Sequence, residues 1–117
     1  MNKKTELEQE LRLILQTALL GEIIPQIIFV TGSISGEWVK LRFHLDRPIS
    51  ETDRNDLDAV STEVISHYKP PMKTETIFSF GSDFDRPDSH ETLVYLRKRI
   101  GQYFDTQVFG SGPQKVN

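Results

Sequence analysis

Between Thr5 and Leu20 apolar side chains return every three or four positions, at Leu7, Leu11, Ile14, Leu15 and Ala18. That spacing lines them along one stripe of an α-helix. Leu13, Leu19 and Leu20 broaden the stripe and predict a well-buried C-terminal half. Gly21 stands where a left-handed residue would end the helix. The period then changes. Ile23 to Gly32 (IIPQIIFVTG) is rich in β-branched residues, SISG reads as a turn, and Glu37 to Asp46 alternates cleanly. Val39, Leu41, Phe43 and Leu45 face one way; Trp38, Lys40, Arg42 and His44 face the other. One face is predicted to be core and the other wet, as in an antiparallel sheet covered by helices on one side.

Pro48 breaks this strand, and Ser50 with Asp53 three residues on forms a capping-box variant at the start of a second helix. Leu57, Val60, Val64, Ile65 and Tyr68 supply its apolar stripe. The helix must stop before Pro70 and Pro71. Lys73 to Phe80 and Glu91 to Arg99 read as a second strand pair, with GSDFDRPDSH between them as a polar loop. The order α-β-β-α-β-β predicts an α+β domain. Its sheet is four-stranded and mostly antiparallel, with two helices packed on one face. The domain is expected over residues 1–101, with 102–117, which carry a Gly-Ser-Gly-Pro run, as a loosely ordered tail.

Composition narrows the function more than the fold. A chain of 117 residues forms one domain with one core. Cysteine is absent, which removes disulfides, thiolate metal sites and cysteine nucleophiles. A net charge of −3 argues against nucleic acid as partner. The N-terminal leucines are interrupted by glutamates, and no apolar run has the length of a membrane span. A soluble, cytoplasmic protein with no membrane partner is expected.

Catalytic signals are sparse. His44, His67 and His90 show no metal-ligand spacing. His44 reads as a solvated residue beside Lys40 and Arg42, and His67 as a helix-end residue. Asp83, Asp85 and Asp88 are spaced as D-x-D-x-x-D but lack the glycine and further ligands of a calcium loop, so turn-forming aspartates are expected. No serine lies in a nucleophile elbow. Neither a metal, a cofactor nor a catalytic residue is expected.

Charge is distributed unevenly. Asp46 to Glu91 holds 11 acids against 5 bases, whereas Thr92 to Asn117 holds 4 bases and 1 acid. The second helix carries Glu51, Asp53, Asp56, Asp58 and Glu63 around a single base, Arg54. Such a run is commonly a solvated face. It also suits a docking surface that steers a basic protein, where carboxylates can take the place of phosphates.

Four stretches carry a family resemblance: ALLGEIIPQI ending the first helix, WVKLRFHLD leading through RPISETD, DAVSTEVIS in the second helix, and the late LVYLRKR strand. From Leu7 to Arg99 the chain resembles small bacterial immunity proteins of contact-dependent growth inhibition and related polymorphic toxin systems. The resemblance implies an inhibitor without chemistry of its own. It would bind a cognate toxin domain, often a nuclease, in a one-to-one complex and block its active site or substrate entry. It transfers no binding residue. Candidates for toxin binding come from charge alone: Glu51, Asp53, Asp56, Asp58 and Glu63, with Asp83, Asp85 and Asp88 as a second set. Trp38, on the outer strand face, is a candidate aromatic anchor; burial against the tail or a neighbouring loop is its other reading. Two further classes stay open: a homo-oligomeric or adaptor module joined through a sheet edge or the wet face, and a small enzyme using Asp or Glu with His.

Overall fold

The computed structural model describes residues 3–98, with side chains from Thr5 onward. The expected tail, residues 102–117, lies outside them. The elements are α1 (Lys3–Ala18), β1 (Ile27–Ser35), β2 (Trp38–Leu45), α2 (Glu51–Ile65), β3 (Lys73–Phe80) and β4 (Thr92–Leu96). This is the expected α+β order. The four strands form one sheet in the order β3-β2-β1-β4. β1 pairs antiparallel with both β2 and β4, and β2 pairs parallel with β3.

Two strand readings change. β1 begins at Ile27 rather than Ile23 and runs on to Ser35, so the turn is Gly36-Glu37 and not SISG. Gly36 has φ +61, the left-handed residue that a two-residue hairpin requires. β3 and β4 do not pair with each other; they lie at opposite edges. The reason is the crossover through α2, which sets β3 beside β2, while the loop over residues 81–91 carries the chain across the sheet to β1.

One face of the sheet and both helices enclose the core. Val39, Leu41, Phe43 and Leu45 of β2 are fully buried, as are Leu11 and Leu15 of α1 and Leu57 and Val64 of α2, each at 1% exposure or less. Gly32 of β1 faces α1 so closely that an added Cβ would stand 3.0 Å from Leu11 Cδ2 and 3.2 Å from Leu15 Cδ2. The missing side chain thus sets the helix–sheet distance. α1 ends at Ala18, short of the expected Leu20, and Gly21 takes the expected left-handed conformation, φ +81, in the turn that follows. The broad stripe on α1 is narrower than its leucines imply: Leu19 is buried, but Leu13 and Leu20 are 65% and 76% exposed.

Candidate functional site

Ser50 starts α2. Its hydroxyl accepts the Asp53 amide at 3.0 Å, and Glu51 and Asp53 stand in the first turn, where the helix dipole favours anions. Leu57, Val60, Ser61 and Val64 turn inward. The acids are left outside, but they do not form one row. Residues seven apart on a helix share a face to within about 20°. Glu51 and Asp58 therefore lie on one flank, and Asp56 and Glu63 on the other. The first flank borders β3: Thr76 Oγ1 donates to Asp58 Oδ1 at 2.7 Å, and the Arg54 guanidinium lies 4.3 Å from the Phe78 ring centroid. Asp56 and Glu63 are exposed.

The opposite face of the sheet is wet at one end, where Trp38, Lys73 and Glu75 are exposed, but not around Arg42 and His44. Residues 81–91 fold over it and close a polar network. Glu91 accepts Arg42 Nε at 2.8 Å and Arg42 Nη2 at 2.6 Å, a two-pronged pair, and also accepts the Thr31 hydroxyl and the Asp88 amide, each at 2.8 Å. Burial pushes the Glu91 carboxyl up, but these donors and the Arg42 charge outweigh it and bring its pKa down to about 2. Arg42 Nη1 donates to Ser79 Oγ at 3.0 Å. His44 Nδ1 lies 2.7 Å from the same hydroxyl, and His44 Nε2 lies 2.9 Å from Asp85 Oδ2. The reading of His44 as solvated is therefore corrected: it is 5% exposed and stacks on Phe29 at 4.6 Å between centroids. The hydrogen bond to His44, then those from Ser82, hold Asp85 below the usual carboxylate range. Gly81 is needed here, because a Cβ would collide with the Asp85 carboxylate and come within 2.5 Å of His44 Nε2.

Ser79, His44 and Asp85 have the order of a hydrolytic relay. The hydroxyl is also held by Arg42, and the imidazole lies beneath the loop. These groups close a face rather than open a cleft. No group of three His, Cys, Asp or Glu among the described residues could hold a metal ion.

Of the second acidic set, Asp83 pairs with Arg97, whose Nη1 also reaches Asp46 Oδ2 at 2.8 Å and the Pro25 carbonyl at 2.9 Å. Asp83 and Asp85 thus hold the loop in place with part of each carboxylate still in solvent, and Asp88 is exposed. Trp38 is 41% exposed at the start of β2, with the Lys73 ammonium 5.6 Å from its ring centroid. The Thr31, Arg42, His44, Ser79 and Glu91 cluster was missed from sequence. Its one signal was polar residues alternating along β2, and Glu91 lies 49 positions beyond Arg42.

An exposed acidic helix and a sheet whose outer face is partly closed by a polar network define a small α+β domain. Residues 8–99 match the family model of the MafI2 immunity protein, and the chain belongs to that family. The membership supports an immunity function against a toxin, with a cognate toxin as partner. No curated protein matches the chain. No helix among the described residues is long and apolar enough to cross a membrane.

Proposed function

We propose that the protein neutralises a basic nuclease domain by binding it one-to-one in the cytoplasm, as an inhibitor without enzymatic activity, in a system of the contact-dependent growth inhibition kind. The family membership carries this reading. The acidic face of α2 supports it, because a surface that replaces phosphates at a nuclease site must be anionic and accessible. Asp56 and Glu63 are exposed and hold no other element of the fold, so their charge is available to a partner. Glu51, Asp53 and Asp58 extend the surface; Trp38, Asp83, Asp85 and Asp88 are secondary contacts.

Co-expression with the C-terminal domain encoded by the upstream neighbouring reading frame tests the reading. Host cells should survive that domain, and a one-to-one complex should be recovered. The double variant Asp56→Lys, Glu63→Lys should lower the association rate about tenfold at low salt and flatten its salt dependence. No rescue and no complex would overturn the immunity reading. Unchanged association kinetics in the double variant would remove the Asp56 and Glu63 flank of α2 from the interface.

A further inference from the structure

β3 is an edge strand eight residues long, and none of its residues is buried. Its backbone points two ways in alternation. The Lys73 amide donates to the Glu37 carbonyl at 2.7 Å, and the Gly81 amide to the Leu45 carbonyl at 3.0 Å, so the odd-numbered residues face β2. Thr74, Thr76, Phe78 and Phe80 then direct both N–H and C=O away from the sheet. Among the described residues nothing pairs with this outer row. Protected edges are blunted by charge, proline, a bulge or a covering element. β3 pairs with β2 in unbroken register over all eight residues and contains no proline; its two charges, Lys73 and Glu75, stand in its first three positions and leave Thr76 to Phe80 uncharged.

What borders this row points to the kind of segment it takes. The even-numbered side chains turn toward α2, where Asp58 meets Thr76 and the flank continues to Glu51. Phe80 is 55% exposed at the far end of the strand. Thr74 Oγ1 is buried with no hydrogen-bond partner at the near end. A strand laid along β3 would place alternate side chains on the α2 side, within reach of the Asp58 and Glu51 carboxylates. An apolar residue could cover Phe80.

We infer that β3 is the docking edge for an extended, basic segment of the toxin, which joins the sheet as a fifth strand with Lys or Arg at alternate positions. The inference rests on the immunity reading and deepens it. Main-chain pairing supplies affinity in such a mode, and the alternate side chains supply specificity.

The test uses the full chain and the upstream-encoded toxin domain. Amide exchange by NMR should show Thr74, Thr76, Phe78 and Phe80 exchanging rapidly in the free protein and at least about tenfold more slowly in the complex. Thr74→Pro removes an outward N–H without breaking a bond to β2, and proline is tolerated at that position of an edge strand. It should keep the free protein's circular dichroism and weaken toxin binding about tenfold or more. Thr74→Val, which keeps the N–H, should bind as the wild type does. A complex that forms with the four amides unprotected and Thr74→Pro binding normally would overturn the edge while leaving immunity standing. Failure of the wild type to bind the toxin domain would overturn both. Amides already protected in the free protein would also overturn the inference. A dimeric mass would then assign the edge to a second copy, and a monomeric mass to a segment of this chain.

Discussion

Replacing Glu91 with glutamine would isolate the network under the 81–91 loop. The glutamine side chain has nearly the shape of a protonated glutamate, so the variant mimics the wild type at low pH. The Glu91 side chain is 8% exposed and its pKa falls from an ordinary 4.5 to about 2. At 1.36 kcal/mol per tenfold change in proton affinity, ionised Glu91 stabilises the fold by about 3 kcal/mol. Because the folded value is the lower one, this stability is fully present above pH 4.5 and is lost as pH falls toward 2. Urea unfolding followed by circular dichroism should therefore find Glu91→Gln less stable by about 3 kcal/mol at pH 7 and by about half that at pH 3. The other carboxylates titrate in both proteins and cancel in the difference. A gap that stays constant between pH 7 and pH 3, or one below about 0.5 kcal/mol at pH 7, would refute the account of Glu91 as a buried anion held by Arg42.

Two glycines make sharper tests of packing. Gly32→Ala should lower stability by about 1–3 kcal/mol, because Leu11 and Leu15 are too tightly buried to yield to a new Cβ; thermal melting at or above the wild-type value would show that α1 moves freely. Gly81→Ala should separate His44 from Asp85, and NMR titration should find the Asp85 carboxyl pKa rising toward the ordinary aspartate range; an unchanged value would mean that the loop adjusts without losing the pair.

Local signals carried the element order. The leucine period in α1, the Ser50 cap and the strict alternation of β2 are properties of neighbouring residues, and each stands where the sequence pattern puts it. The acidic positions of α2 were legible for the same reason, since the apolar stripe of a helix dictates which residues stay outside it. Their division into two flanks follows from the seven-residue spacing, but the placing of one flank beside β3 does not. The pairing of strands was misjudged, because alternation describes a strand's two faces and says nothing about its neighbours. β3 and β4 follow each other in sequence, yet β1 and β2 stand between them.

By itself, then, the sequence determined the order of helices and strands, which face of β2 and of α2 carries the core and that an acidic helix remains in solvent. These depend on side-chain period and capping, which act over a few residues. Only the tertiary structure decided that the second sheet face is closed around Arg42, that His44 is buried and that β3 is left with an unpaired row. Each depends on contacts between residues far apart in the chain, Arg42 with Glu91 and His44 with Asp85 above all, and a polar residue on a strand is wet or buried according to which loop crosses it.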